Sequence, residues 1–131
     1  MTSVGVAIYN PADERDPCHW ALWLQSADRQ SVILQVGDDK GGRGYYVEEP
    51  IFKEPMRSIR LKEIVPCGTI PTNRHNQVVS VIQSNPVDNQ SSTWNCQAWV
   101  MENLNNLENL RLLQLTPETK AKLESKRQNW Q

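Results

Sequence analysis

Two apolar runs, His19 to Leu24 (HWALWL) and Ser31 to Val36 (SVILQV), are separated only by a short polar stretch, Gln25 to Arg29. That spacing leaves little choice but a β-hairpin, because the connection carries small and polar residues and is too short for a crossover. A symmetric turn pairs Leu24 with Gln30 and hence His19 with Gln35. Directly opposed residues on antiparallel strands share a face, so Gln35 is expected beside His19, with Ala21, Trp23 and Ile33 on the same side. A one-residue slip would turn Gln35 to the other face.

Further along the chain, Thr93-Trp94-Asn95-Cys96-Gln97-Ala98-Trp99-Val100 opens an amphipathic helix. A hydroxyl residue is expected to cap its start, and its inward stripe runs Cys96, Trp99, Val100, Leu104, Leu107 and Leu110. A thiol in the first turn lies in the field of the helix N-terminus, which favours the thiolate. A cysteine at a helix start facing a strand histidine is the minimal set for a thiol nucleophile and its base. The sequence therefore points to Cys96 as nucleophile, His19 as base and Gln35 as the group orienting the imidazole. An amide serves in that third role because it need only fix one tautomer by a hydrogen bond. Backbone N–H groups at the helix start, that of Cys96 included, are placed to stabilise an oxyanion. The competing reading is a buried free cysteine on an apolar helix face and a histidine satisfied within a strand.

The remaining elements frame that site. Ser3 to Tyr9 is a short strand ended by Asn10-Pro11, and Gly44 to Glu48 and Ser58 to Ile64 suggest two more. The glycine-rich run Gly37 to Gly44 reads as a turn, since its spacing matches neither a phosphate loop nor a dinucleotide fingerprint. Thr72 to Ser84 is an expected helix with His75, Val78, Val79 and Ile82 on one side. His75 is a second candidate base, or a partly exposed helix residue. Thr116-Pro117-Glu118 starts a polar helix reaching about Arg127, whose Lys120, Lys122, Lys126 and Arg127 read as a solvated face. Trp20 and Trp99 are expected in the core. Trp23, Trp94, Tyr45 and Tyr46 are candidates for lining a substrate groove, with packing as the plainer role of the tryptophans.

The chain has 131 residues, enough for one domain (1–131) and little more. Its formal net charge of -1 gives no global field that would recruit nucleic acid or an anionic membrane. No apolar run nears the roughly 20 residues that span a bilayer, and the first residues lack the pattern of a signal peptide. Three cysteines without repeated spacing form no disulfide framework. Cys18 alternates away from His19, Cys67 between proline and glycine suits a loop, and together with His19 they lack paired metal-ligand spacing. No cofactor or metal is expected, and a reducing, cytoplasmic setting fits best.

Histidine first, on HWALWL, and cysteine later, in NCQAWV at a helix start, resembles the order in circularly permuted papain-like proteins. The two segments resemble those of the lecithin retinol acyltransferase and phospholipase/acyltransferase group. They are similar also to small fungal proteins of unassigned activity with HWAL, QVxGD and CQxWV segments, here His19 to Leu22, Gln35 to Asp38 and Cys96 to Val100. A like order occurs in the PPPDE-type deubiquitinating and deSUMOylating peptidases. The resemblance implies an α+β fold, a small antiparallel sheet packed on the nucleophile helix, with a core over about residues 18–107 and a C-terminal helix over about 117–127. It implies Cys96 as nucleophile and His19 as base in a hydrolase or acyltransferase acting on an amide, ester or thioester of a small molecule or peptide. Gln35 stands where the acyltransferases commonly carry a second histidine, and a membrane-anchoring C-terminal segment is absent from the sequence, which argues against a phospholipid substrate. A non-catalytic binding module on the same fold and a ubiquitin- or SUMO-type isopeptidase are the alternatives.

Overall fold

The computed structural model describes residues 1–39 and 44–128. Of the turn expected over Gly37 to Gly44, residues 40–43 lie outside the described residues, while Gly37 and Asp38 are in a strand rather than a turn. The architecture is α+β. Strands β1 (Thr2–Tyr9), β2 (His19–Ser26), β3 (Arg29–Leu34) and β6 (Leu61–Ile70) form an antiparallel sheet in the order β3-β2-β1-β6. Strands β4 (Val36–Asp38) and β5 (Tyr45–Val47) pair separately. Helices α1 (His75–Gln83), α2 (Cys96–Asn109) and α3 (Pro117–Ser125) complete the chain.

Strand alternation builds the core. Val4, Val6 and Ile8 of β1 lie opposite Leu24, Leu22 and Trp20 of β2, and all are buried. With Val32, Leu34, Val65 and Cys67 they make the sheet face that receives Val78 and Ile82 of α1 and Trp99, Val100, Leu104 and Leu107 of α2. Trp20 and Trp99 are fully buried, as the sequence predicts. The other face carries Ala7, Ala21 and Ile33, and the segment after β5 joins the sheet at its β3 edge, where Ile33 and Ile51 exchange backbone hydrogen bonds of 2.8 and 3.0 Å.

The hairpin forms, but not in the expected register. Its turn contains only Ala27 and Asp28, because β2 continues to Ser26, whose hydroxyl is buried against that of Thr2. An irregularity between Leu24 and Ser26 then sets Leu22 opposite Leu34 and Trp23 opposite Ile33. A displacement of two residues preserves side-chain faces, so Trp23 and Ile33 share a side as expected. Gln35 now falls beyond the end of β3, level with Ala21 rather than with His19.

Three further expectations are corrected. The strand expected over Ser58 to Ile64 runs from Leu61 to Ile70 and holds Cys67, which is in a strand and not a loop. Pro66 and Gly68 suggested a break, yet β6 is an edge strand and the register shift at Val4/Gly5 lies beside both. Gly68 takes the left-handed region at φ 122°, which a side chain would resist. The cap of α2 is not a hydroxyl but Asn95, whose carboxamide oxygen accepts from the N–H groups of Gln97 and Ala98. Leu110 falls just past α2 and is exposed, so the inward stripe ends at Leu107.

Helix α3 starts as expected, with Thr116 capping Thr119 and Pro117 in the first turn. Its basic residues are not simply solvated: Lys126 meets Glu63 of β6 at 2.6 Å and Lys120 meets Glu108 of α2 at 3.2 Å. No helix among the described residues is long and apolar enough to cross a membrane.

Candidate active site

Residue Cys96 begins α2 where that helix meets the first residues of β2. The backbone N–H of Trp20 points at its sulfur at 3.4 Å, and the sulfur lies 3.8 Å from the carbonyl oxygen of Cys18. Nucleophile candidate and strand start are thereby locked together across 76 positions of sequence.

His19 and Gln35 also meet, despite the altered register. Gln35 sits in the break between β3 and β4, and its Oε1 lies 2.7 Å from Nε2 of His19. Diagonal neighbours on one sheet face are within reach of long side chains. The amide is oriented by a partner that sequence reasoning missed: Gln35 Nε2 donates to Glu48 Oε2 at 2.5 Å. A carboxylate can only accept, so the amide nitrogen must face Glu48 and the amide oxygen must face the ring. His19 consequently carries its proton on Nε2. The nitrogen left to meet the thiol of Cys96 is Nδ1.

The electrostatics follow from these contacts. Burial opposes charge on His19, but hydrogen bonding and charge from Cys96, the bond to Gln35 and the charge of Glu48 outweigh it and raise the imidazole above its ordinary value. Tyr9, directly opposite His19 on β1, covers the ring with centroids 5.7 Å apart. Burial raises the Tyr9 phenol in turn.

A cleft of about 240 Å³ exposes this pair, with His19, Cys96, Asn95, Glu48, Gly37, Asp38, Asp16 and Tyr45 among its lining residues. Tyr45 stands edge-on to Trp94 at 5.1 Å. Trp94 is buried behind it, with its indole N–H bound to Glu102 at 2.7 Å. Tyr46 is exposed on the outer side of β5. Trp23 points from the middle of β2 toward Ile33 and Gly5 and does not line the cleft. Of the four aromatic candidates, Tyr45 alone borders it.

A family model described as a family of unknown function (DUF6540) matches residues 6–114. The chain belongs to this family. The matched span takes in the hairpin, both candidate residues and the whole of α2. No curated protein and no solved structure matches the chain.

In this family member the turn that carries Cys96 is braced from behind by carboxamides. Gln97 is fully buried; its Nε2 donates to the Cys18 carbonyl at 2.9 Å and its Oε1 accepts from the Gln128 N–H at 2.7 Å. Asn95 Nδ2 donates to the Gln128 carbonyl at 3.0 Å, and Cys18 N–H donates to Gln128 Oε1 at 2.9 Å. Asn95 thus takes up the N–H groups of Gln97 and Ala98, two of the donors that a helix start leaves without intrahelical partners. Gln97 adjoins the cysteine in sequence, which was the available signal for it; Glu48 and Gln128 had none.

The other candidates separate from the site. His75 is buried beside Asp28 and Arg29 at the far end of the hairpin, not partly exposed, and burial lowers its imidazole. Cys67 lies in the core, where burial pushes its thiol up to about 12. All three cysteines are free, and no cluster that could hold a metal ion occurs among the described residues.

Proposed function

We propose that this protein is a thiol-dependent hydrolase or acyltransferase with a permuted papain-like arrangement, Cys96 being the nucleophile and His19 the base. The observation that carries the reading is the ordered chain Glu48–Gln35–His19, which leaves one imidazole nitrogen free to take the thiol proton. A carboxylate that fixes an amide, which fixes an imidazole beside a thiol, is more orientation than a merely buried histidine needs.

In the first step the sulfur bonds to the substrate carbonyl carbon while the thiol proton passes to His19. The bond to the leaving nitrogen, oxygen or sulfur then breaks as His19 returns that proton to it. Water or an amine next attacks the thioester, giving its proton to His19, and the Cys96 thiol is regenerated. The Cys96 N–H faces the developing oxyanion. A cleft of about 240 Å³ suits a small acyl group or the end of a peptide. Three free cysteines agree with a reducing compartment such as the cytoplasm.

The sulfur's own hydrogen-bond contacts and its exposure of only 9 % favour one second reading, a binding module in which Cys96 is structural. Iodoacetamide distinguishes them. An enzyme of this kind alkylates at Cys96 well before Cys18 and Cys67, at a rate that falls when His19 is replaced by alanine. Equal labelling of the three, or indifference to His19→Ala in a folded protein, supports the structural thiol.

A further inference from the structure

The segment between β5 and β6 combines features found nowhere else on the described surface. Phe52 is 60 %, Met56 54 % and Ile59 100 % exposed, so three large apolar side chains stand in solvent within eight consecutive residues. Lys53, Arg57 and Arg60 are interleaved with them, are exposed, and form no ion pair among the described residues. The acid within the run is turned inward: Glu54 Oε1 accepts from the Ser31 hydroxyl at 2.6 Å.

The segment is held rather than loose. Ile51 is bonded to Ile33, Pro55 is buried, Ser58 N–H bonds Pro55 O at 3.0 Å, and Asn10 N–H bonds Arg60 O at 2.8 Å. Pro55 is thus buried and Glu54 turned toward Ser31 while the three apolar and three basic side chains stay exposed to solvent, Lys53 and Arg57 at the rim of the cleft they share with His19, Ile33 and Gln35. Such exposure costs solubility without serving this fold, and a preformed loop loses little entropy on docking.

We propose that this loop is a peripheral docking surface for an anionic lipid bilayer. Charge complementarity selects the occupant. Each apolar side chain has a basic neighbour, and a headgroup–acyl boundary offers anions and hydrocarbon together across one plane. A second copy of the chain would bring the same three cations to the same contact, against their mutual repulsion. The overall charge of -1 excludes a global attraction but not this local one. Docking here is interfacial, requires no spanning helix, and is independent of the role of Cys96.

Co-sedimentation of the full chain with phosphatidylcholine vesicles, with and without phosphatidylserine, tests this. Binding is expected only with phosphatidylserine and is expected to weaken with salt. Lys53→Gln, Arg57→Gln and Arg60→Gln together should lower partitioning about a hundredfold, from the contribution per basic residue near an anionic surface. Phe52→Ser, Met56→Ser and Ile59→Ser together should also release the protein; all six positions are exposed, and circular dichroism checks that the fold persists. Failure to bind anionic vesicles, or wild-type binding by either triple variant, overturns the proposal. So does a concentration-dependent dimer dispersed by the apolar variant, or tighter binding to polyglutamate that ignores it. Cys96→Ser should bind vesicles like the wild type, which separates this test from that of the thiol chemistry.

Discussion

Replacing Glu48 by alanine perturbs the site without touching either reacting group. In the wild type the Gln35 amide is held between two partners, His19 at 2.7 Å and Glu48 at 2.5 Å. Among the described residues only the Glu48 carboxylate distinguishes the two ends of that amide. Without it, Gln35 is free to flip and offer its NH2 group to His19, which favours the tautomer protonated on Nδ1, the nitrogen that the proposed chemistry requires as a base. A hydrogen bond to a charged group contributes about 1.5–3 kcal/mol. Its loss shifts the balance between productive and flipped arrangements by roughly 10- to 150-fold at about 1.4 kcal/mol per decade. The charge of Glu48 also helps raise the His19 imidazole, so its removal moves that titration downward. The assay is the rate of Cys96 alkylation by iodoacetamide across pH, followed by intact mass. Glu48→Ala should slow the neutral-pH rate by one to two decades, and Glu48→Gln, which keeps an acceptor, should lose less. An unaltered rate and pH profile in a folded Glu48→Ala protein would refute the reasoning.

Other outcomes follow from the same geometry. Because burial pushes the Cys67 thiol up to about 12, it should resist alkylation until the protein is unfolded in urea, whereas an exposed-type rate would contradict its core position. His75 is lowered by burial, so its contribution to stability is full above the ordinary imidazole value near 6.5 and is lost as pH falls toward its lower folded value. His19 is raised, so its contribution is full below about 6.5 and is lost as pH rises through its folded value. Urea midpoints against pH should lose the acid slope in His75→Gln and the opposing slope in His19→Gln; identical pH curves for both variants and wild type would discount these environments. Gln97→Leu keeps the volume but removes the amide donor to the Cys18 carbonyl and the acceptor of the Gln128 N–H, with an expected loss of about 1–3 kcal/mol in urea unfolding. Trp99→Ala, at a fully buried position in the first turn of α2, should cost about 3–5 kcal/mol by the same measurement.

Much of the site was legible from local patterns. Period-two alternation marked β1, the β2–β3 hairpin and their faces. The apolar stripe marked α2, and Thr116-Pro117 marked the start of α3. Cys96 and His19 were visible because a helix start and a strand start are features of a few neighbouring residues. The register of the hairpin was not legible. It follows from a turn of Ala27 and Asp28 alone and an irregularity between Leu24 and Ser26, where β2 runs on beside Thr2 of β1, a contact between strands that no turn rule contains. For the same reason Pro66 and Gly68 looked like a loop, although an edge strand tolerates both.

By itself, then, the order of residues determined which segments alternate, which coil, and which side chains each presents to the interior, since these depend on backbone geometry and the removal of apolar surface from water. Tertiary structure alone decided that Gln35 reaches His19 from beyond the end of its strand, that Glu48 from another segment tells the amide which way to point, and that Gln128 braces the turn that carries Cys96 from far along the chain. Hydrogen bonds between residues distant in sequence are short-ranged and directional. They exist only once packing has brought their partners within about three ångströms, and no local pattern records that.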